Sequence, residues 1–290
     1  MDKKIRPSGP YNFSQALKRL SMDPLLHIDM QNEEIRIPLW IKGYPVVAHM
    51  KQTGTFEEPC FHIKAGTHSS VTADEIVDQL SHLFHWHIPL EEIADFFRDK
   101  ELNRLFDQFR GTPFVCDFQL YGCLMKLIIH QQLNMAFAFT LSSRFVKTFG
   151  FDEDGVWFYP TPETVSRLHP DQLKELQFSQ RKAEYVIDTS KLLAEGNLNL
   201  EEVALMPDEE VIKSLVKIRG IGPWTAENFL MFGLGRMDLF PVQDIGIQNA
   251  MKKYYNWEAK PTHAVMLEKS KEWKPYRTYA TLYLWESIET

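Results

Sequence analysis

The chain has 290 residues, of which 44% are hydrophobic, and a formal net charge of −7 at pH 7. This length allows a substantial core in one to three domains. Because there is neither an apolar run of about eighteen residues nor a charged-then-apolar leader, we expect no membrane span, no signal peptide and a cytoplasmic protein. The acidic balance, taken alone, argues against a nucleic-acid partner, since DNA affinity depends heavily on phosphate neutralisation.

The first part of the chain alternates apolar and polar residues in the period-2 pattern of β-strands. Turns between these strands are predicted at 31–32 and 42–43. Helices predicted over 13–20 and 73–84 would cover one face of an antiparallel sheet. Residues 1–88 therefore form a predicted α+β unit. Its four predicted strands are 26–30, 34–38, 46–50 and 61–64.

Beyond residue 88, apolar residues recur at three- and four-residue spacings, which indicates helices almost throughout. Leu120, Leu124 and Ile128 form one such face, and a later helical stretch ends at Gly150. Residues 152–155 predict a turn. We therefore predict a second, all-helical unit over the rest of the chain. Further helix starts are predicted near Thr161, Ser179, Asp208 and Pro275.

Three cysteines, Cys60, Cys116 and Cys123, form no plausible disulfide framework and no zinc pair. They are also too few for a four-cysteine iron–sulfur cluster. Because free cysteine behaves mostly as a small hydrophobe, we expect three buried thiols.

The segment 215–226 carries two glycines one residue apart, between an apolar helix end and a new helix start. Gly220 can adopt a positive φ where the first helix ends, and Gly222 lets the backbone approach another chain closely. Pro223 suits the first turn of the next helix, whose unpaired N–H groups can donate to an anion such as a DNA phosphate. An ordinary corner between two helices explains the same pattern, because short glycine motifs have many false positives.

A single carboxylate stands in the apolar segment 239–245, after a helix predicted to end near Gly233 and Gly235. An unpaired buried charge costs several kcal/mol, so Asp244 needs a partner, a helix to cap or a chemical task. Apolar residues follow it at helical spacing, and Asp is a favoured N-cap residue. The capping role and the chemical role are compatible.

With the hairpin and the trailing carboxylate together, the chain resembles the helix-hairpin-helix DNA glycosylases. Gly220 and Gly222 correspond to the hairpin of that superfamily, and Asp244, 22 residues after Gly222, corresponds to its catalytic Asp. Further segments resemble DNA-3-methyladenine glycosylase II, so the resemblance runs over nearly the whole chain. These segments are 10–13, 80–84, 128–132, 273–280 and 282–285.

The resemblance implies a TATA-binding-protein-like α+β domain over residues 1–88, with no direct role in the chemistry. A helical glycosylase domain over residues 89–290 would follow, with two lobes around a cleft. Asp244 would then lie across the cleft from Gln131 and Gln132. Arg277 and Tyr11 also match the subfamily by motif, and we expect both to be structural.

The implied reaction is hydrolysis of the N-glycosidic bond of an alkylated purine, such as 3-methyladenine or 7-methylguanine. Asp244 would stabilise the positive sugar or activate the attacking water, and both roles stay open. Trp224 stands where relatives that cut the strand carry a Schiff-base lysine, which implies a monofunctional enzyme. Trp224 and Trp285 match aromatic pocket residues that attract cationic bases, whereas Asn228 and Ile245 replace aromatic residues.

The implied partner is double-stranded DNA, whose damaged nucleotide would be turned out of the stack while Gln132 or Leu133 fills the gap. The residues expected to contact DNA are Gly220, Gly222, Arg219, Lys217, Thr225, Gln131, Gln132 and Leu133. Basic residues near the hairpin and near Ser179 predict a basic face on the acidic chain, or else solvated helix faces without a ligand. These residues are Lys213, Lys217, Arg219, Arg181 and Lys182.

The expected chemistry requires no metal or organic cofactor. The resemblance alone implies a monovalent cation held by backbone carbonyls near Ile218 to Ile221. We expect a monomer that does not bind membranes. Two other functions stay open: a glycosylase of the same superfamily for deaminated or oxidised bases, and a DNA-binding module that has kept the hairpin without catalysis.

Overall fold

The computed structural model describes residues 1–66 and 68–289, and the chain begins with a five-stranded antiparallel sheet. Its strands are β1 (Asp2–Ile5), β2 (His27–Asp29), β3 (Glu34–Ile41), β4 (Tyr44–Gln52) and β5 (Phe61–Ala65). The spatial order is β1-β5-β4-β3-β2, so β2 to β5 form a meander and β1 pairs with β5 at one edge.

Two helices, α1 (Phe13–Leu20) and α2 (Ala73–Leu83), pack with the buried side of this sheet. Ile35 of β3 and Phe61 of β5 are buried, and their strand neighbours are more exposed, because successive side chains of a strand point to opposite faces. Phe13 of α1 lies edge-on to Phe61, with ring centroids 5.0 Å apart. The predicted α+β unit is confirmed.

The rest of the described chain is mainly helical, as predicted. Its helices are α3 (Leu90–Phe97), α4 (Asn103–Gln108), α5 (Leu120–His130), α6 (Met135–Phe149), α7 (Pro162–Ser166), α8 (Pro170–Glu175), α9 (Gln180–Ala194), α10 (Leu200–Ala204), α11 (Asp208–Leu215), α12 (Pro223–Asn228), α13 (Ile245–Tyr254), α14 (His263–Ser270) and α15 (Arg277–Glu289). A π-helical turn, Phe229–Gly233, continues α12, and a 3₁₀ turn, Lys271–Trp273, continues α14.

Three strands were not predicted from the sequence. The edge strand β1 is only four residues long, so it carries little periodicity. The predicted turn at 152–155 is present, with positive φ at Asp154 and Gly155. It joins two further strands, β6 (Phe151–Glu153) and β7 (Val156–Phe158), so the helical part contains one short hairpin.

The two predicted units share their packing. The β6–β7 hairpin packs on the sheet, where the Trp40 ring of β3 lies 5.9 Å from that of Phe158. At the other end of the chain, the Tyr279 hydroxyl of α15 lies 3.0 Å from Nδ1 of His85. Most of the buried hydrophobic side chains of the described residues form one core that includes Tyr11 and Trp285, and Val47, Val156 and Phe158 form a second, smaller cluster. The division at residue 88 stays a prediction.

Several smaller predictions have direct structural counterparts. Arg277 pairs with Asp238, with Nε 2.5 Å from one carboxylate oxygen and Nη2 3.0 Å from the other. The Tyr11 hydroxyl donates to the carbonyl of Phe84 at 2.7 Å. Both residues are therefore structural, as expected. The three cysteines are buried free thiols. Among the helices of the described residues, none has the length and apolar character needed to cross a membrane.

Candidate active site

A cleft of about 1200 Å³ opens between α5, α12, α13 and α15, and the end of α1 contributes to its wall. Most of the predicted site residues line this cleft, so the fold brings together segments that are far apart in sequence. They are Gln131, Gln132, Leu133, Gly220, Gly222, Trp224, Thr225, Asn228, Asp244, Ile245 and Trp285. Lys217 and Arg219 do not line it.

The two hairpin glycines differ in their surroundings and in their backbone conformation. Gly220 has a φ of 93°, and a Cβ atom there would lie 2.2 Å from the Tyr185 ring. Gly222 has a φ of −102°, which any residue adopts, but no atom lies within 4 Å of where its Cβ would stand. Pro223 begins α12 as predicted. The hairpin therefore presents open backbone at Gly222, beside the start of a helix.

The Asp244 carboxylate is held by three N–H donors. One oxygen, Oδ1, accepts from the backbone N–H of Ile247 at 2.9 Å and from the Trp285 indole at 3.1 Å. The other, Oδ2, accepts from the Trp224 indole at 3.2 Å. Asp244 thus caps α13, as the sequence predicted, and is also fixed by two side chains. None of these three donors is a cation, so none cancels its negative charge.

Glycine at position 246 makes this arrangement possible. A Cβ atom there would lie 2.9 Å from Oδ1 of Asp244 and 3.1 Å from Nε1 of Trp285. A larger residue would have to displace one of these two groups. The sequence analysis did not single out Gly246, because nothing near it in sequence indicates that Trp285 comes so close.

Trp285 is more enclosed than a base-stacking wall requires, since only 6% of it is exposed. The Phe232 ring stacks on it, with centroids 5.8 Å apart and an interplanar angle of 18°. The Arg19 guanidinium also lies over its ring, 5.3 Å from the centroid. Trp224 is half-buried and lines the cleft. Of the two predicted pocket tryptophans, Trp224 is thus the one with more surface available to a base.

Phe232, whose ring stacks on Trp285, lies in the π-helical turn after α12. This turn places the carbonyl of Phe232 where it accepts from the backbone N–H of Asp117 at 2.7 Å. The sequence pattern predicts only that this helix ends near Gly233 and Gly235. Single π-turns inside helices occur often at functional sites.

The two aromatic replacements lie in different environments. Asn228 is 2% exposed, and its amide donates to the carbonyl of Trp224 at 2.7 Å. It therefore fixes the start of α12 as much as it lines the cleft. Ile245 is 63% exposed, directly beside Asp244. An exposed apolar side chain at this point is available to contact a ligand.

Two residues that were predicted to contact DNA, Gln131 and Thr225, hydrogen-bond to each other between the hairpin and the loop that joins α5 to α6, residues 131–134. The Gln131 side-chain amide donates to the carbonyl of Gly220 and to the Thr225 hydroxyl, both at 2.8 Å. Thr225 is 1% exposed. The side chains of Gln131 and Thr225 therefore join this loop to the hairpin inside the protein, and a contact of the Thr225 backbone N–H with DNA stays a prediction.

Of the two wedge candidates, Gln132 is the more accessible. It is exposed and has a φ of 58°, an uncommon conformation for a residue with a side chain. Leu133 is half-buried and packs against the core. Non-glycine residues with positive φ often occur at functional sites, where the surrounding structure holds them.

The predicted basic face is smaller than the sequence suggested. Arg219 pairs with Glu184 at 2.6 Å and lies 3.5 Å from a carboxylate oxygen of Asp188. Lys182 is half-buried and donates to backbone carbonyls at the end of α5. Lys182 therefore leaves the predicted basic face, whereas a DNA contact of the exposed Arg219 stays a prediction. The basic residues of the two groups that stay exposed without such partners are Arg181, Lys213 and Lys217.

An ion pair at the floor of the cleft was missed by the sequence analysis. Lys126 of α5 pairs with Asp117, and Asp23 lines the same cleft. Burial lowers the pKa of Lys126, but the charges of Asp117 and Asp23 outweigh it and hold that pKa above its ordinary value. Burial also raises the pKa of Asp23. The sequence signal for this ion pair was a single lysine, Lys126, within the apolar face of α5.

The N-terminal unit contributes directly to the cleft, through Arg19 and Asp23 at the end of α1 and just beyond it. The expectation that this unit has no direct role in the chemistry stays a prediction. Among the described residues, carboxylates outnumber basic side chains in the cleft wall. The acidic ones are Asp23, Asp117, Asp244 and Glu289, and the basic ones are Arg19 and Lys126. His130 adds no charge near neutral pH, because burial lowers its pKa to about 3.

Within residues 1–66 and 68–289, no group of three or more His, Cys, Asp or Glu side chains is arranged to hold a metal ion. The groups that characterise the candidate site are its carboxylates, its indoles and its backbone groups.

Comparisons with known proteins agree with this geometry. A family model described as HhH-GPD superfamily base excision DNA repair protein matches residues 125–275. The chain is 47% identical over 287 residues to "Putative DNA-3-methyladenine glycosylase YfjP" of Bacillus subtilis, covering 99% of each chain. The resemblance drawn from the hairpin and Asp244 is confirmed.

Two solved structures share the fold. The 3-methyladenine DNA-glycosylase from Archaeoglobus fulgidus superposes with a TM-score of 0.85 at 22% identity, over 99% of this chain and 98% of that one. The Schizosaccharomyces pombe 3-methyladenine DNA glycosylase Mag1, in complex with abasic DNA, superposes with a TM-score of 0.61 at 27% identity. That match covers 69% of this chain and 97% of Mag1.

The contrast between the hairpin glycines gives a stability prediction. Gly220→Ala should lower the free energy of unfolding by about 1–3 kcal/mol, because the methyl group overlaps Tyr185 and alanine disfavours a positive φ. Gly222→Ala is the matched control and should lower it by less, at most about 1 kcal/mol, because Gly222 is the N-cap of α12 and Ala is less favoured there. Urea denaturation measures both values. Equal losses in the two variants would contradict this description of the hairpin.

Proposed function

Because the chain belongs to the HhH-GPD superfamily of base excision DNA repair proteins, in its DNA-3-methyladenine glycosylase family, we propose that it is a monofunctional glycosylase for alkylated purines. It would hydrolyse the N-glycosidic bond of the damaged nucleotide in double-stranded DNA and leave an abasic site. The observation that carries this proposal is the Asp244 carboxylate, held by Trp224, Trp285 and the start of α13 at the wall of a cleft.

Asp244 is the proposed catalytic residue. As the N-glycosidic bond breaks, positive charge develops on the sugar, and a carboxylate already fixed at the wall of the cleft stabilises that charge without reorganising. A water molecule then completes the hydrolysis, and Asp244 can orient that water or accept its proton. The neutral indole donors suit both roles, because they restrict the direction of the carboxylate and leave its charge available.

DNA would bind across the mouth of the cleft. The open backbone at Gly222 and the first N–H groups of α12 suit a phosphate group. Gln132 would enter the space left by the extruded nucleotide, since it is exposed and lines the same cleft as Asp244. Only a few exposed basic residues flank the hairpin, so DNA binding should be weak and sensitive to salt.

We propose that the enzyme does not cleave the DNA strand, because residue 224 is a tryptophan. Relatives that cut the strand need an amine there to form a Schiff base with the sugar. An indole cannot form that bond, and its N–H group is already donated to Asp244. The product should therefore be an intact strand with an abasic site.

Alkylated purines are the proposed substrates because several of them carry a positive charge. The carboxylates of the cleft wall outnumber its basic side chains, and a cleft with one excess sign of charge concentrates ligands of the opposite sign. Trp224 adds an aromatic face, which attracts a cationic ring. These features favour a cationic base over a neutral deaminated or oxidised one.

The proposed reaction needs no metal or organic cofactor, since a carboxylate and water suffice. A monovalent cation at the hairpin remains a proposal with a partial fit. The carbonyls of Ile218 and Gly220 already accept hydrogen bonds, from Ile221 and from Gln131, and each has one further lone pair to offer. We also propose that the protein acts as a monomer.

Removing the charge of Asp244 tests its proposed catalytic role. Asp244→Asn keeps a favoured N-cap residue at the start of α13 and removes the charge. Single-turnover release of 7-methylguanine from duplex DNA should fall on the order of 10²- to 10³-fold, as when one electrostatic group of an active site is lost. Asp171→Asn, at an exposed position outside the cleft, is the control and should release the base at the wild-type rate.

The same reactions test strand cleavage. Breaks should appear only after alkali treatment, and borohydride should trap no covalent complex of wild-type protein and DNA. A trapped complex would overturn the monofunctional proposal. Unchanged release by Asp244→Asn would overturn the role of the carboxylate.

A second prediction concerns the charge of the substrate base. Because glycosidic bonds differ in intrinsic lability, the comparison is made between rate enhancements over the uncatalysed reaction. The enhancement should be larger for cationic 7-methylguanine than for neutral hypoxanthine, and Asp117→Asn should narrow this difference. A larger enhancement for hypoxanthine would instead favour a glycosylase for deaminated bases.

A further inference from the structure

The Lys182 ammonium of α9 lies at the carboxyl end of α5. It donates to the carbonyl of Gln131 at 2.9 Å, to that of Ile128 at 3.4 Å, and to that of Ile129. The last carbonyls of a helix have no partner within the helix, and they carry the negative end of its dipole. A single ammonium with three donors therefore satisfies several groups that would otherwise lack partners.

These contacts fix the loop that carries Gln132. Lys182 holds the loop at its first residue, through the carbonyl of Gln131. From the other side, the Gln131 side chain donates to the hairpin at Gly220 and Thr225. The residue after this doubly held position is Gln132, with its positive φ. Such a conformation costs on the order of 1–3 kcal/mol and persists only where neighbouring contacts impose it.

We propose that Lys182 is a positioning residue for base extrusion: it locks the end of α5 so that Gln132 projects from the loop into the DNA. This inference rests on the proposed function, because it assigns Gln132 the role of the wedge. The alternative is that Lys182, as part of the basic face predicted from the sequence, contacts a DNA phosphate. The Lys182 ammonium uses its donors inside the protein. It therefore neutralises no DNA phosphate and releases no counterion from the DNA.

The proposal and the phosphate-contact alternative differ in salt dependence. Each phosphate neutralised by a protein cation contributes about 0.9 to the slope of log K against log salt concentration. Loss of a phosphate contact would therefore reduce the slope by about that amount. Loss of a positioning contact would leave the slope unchanged and weaken extrusion instead.

The test compares Lys182→Met with Lys191→Met, a control at an exposed position near the end of the same helix. Three quantities are measured: the salt slope of binding to duplex DNA, the single-turnover release of 7-methylguanine, and the fluorescence of 2-aminopurine opposite an abasic-site analogue. The fluorescence reports insertion into the stack and needs no catalysis. It therefore separates failure of this inference from failure of the proposed function, which would appear as an inactive wild type.

The expected result for Lys182→Met is an unchanged salt slope, a smaller 2-aminopurine signal, and a release rate lower by about ten- to a hundredfold, the loss that a small misplacement of a reacting group causes. Lys191→Met should match the wild type in all three. A salt slope reduced by about one overturns the proposal, and so does an unchanged fluorescence signal.

If Lys182→Met does not fold, Lys182→Arg is used for the same test. The planar guanidinium keeps the charge but cannot meet three carbonyls in the same geometry. The proposal then predicts an unchanged salt slope with a partial loss of the 2-aminopurine signal. A wild-type signal in Lys182→Arg, with wild-type release, overturns the assignment of this geometry to extrusion.

Discussion

The three N–H groups that converge on the Asp244 carboxylate are the constraint on which the rest of the site depends. They come from a helix N-terminus, from the hairpin helix and from the last helix of the chain. Each donor must arrive within hydrogen-bonding distance, so α12, α13 and α15 must pack in one relative arrangement. Gly246 meets this requirement by leaving no side chain between Asp244 and Trp285. The carboxylate is oriented without a counter-ion among its donors, which suits the stabilisation of a positive sugar.

A second part of the cleft wall is fixed by a separate set of polar contacts. Gln131 joins the loop after α5 to the hairpin, and Lys182 joins the end of α5 to α9. The N-terminal unit closes a third side, where Arg19 lies over Trp285. The α+β part is therefore a structural component of the cleft and shares one core with the helices. This packing gives a reason for the similarity to a 3-methyladenine DNA-glycosylase over nearly the whole chain.

The sequence predicted features that depend on local chemistry and missed those that depend on distant contacts. Strand alternation, the positive φ of Gly220 and the N-cap at Asp244 all follow from residues close in sequence, and each is present. The π-turn at Phe232 and the carbonyl contacts of Lys182 join elements far apart in sequence, so no local pattern predicts them. Charge was the least informative signal. The sequence pattern of a basic residue near a hairpin is the same in both cases: when the side chain faces solvent, as that of Lys217 does, and when it pairs with acidic neighbours, as that of Arg219 does.

The central claim is that Trp285 acts through the Asp244 carboxylate, and a double-mutant cycle tests it most directly. Trp285→Phe keeps an aromatic ring and removes the indole N–H group. The substitution is made in the wild type and in Asp244→Asn, and single-turnover base release is measured for the wild type, the two single variants and the double variant. A hydrogen bond to a charged group contributes about 1.5–3 kcal/mol, so release should fall by at least about tenfold in the wild-type background. With Asp244→Asn, the further loss should be small, because the charge that the indole orients is gone. Equal losses in both backgrounds would contradict the claim and would make Trp285 an independent wall of the pocket.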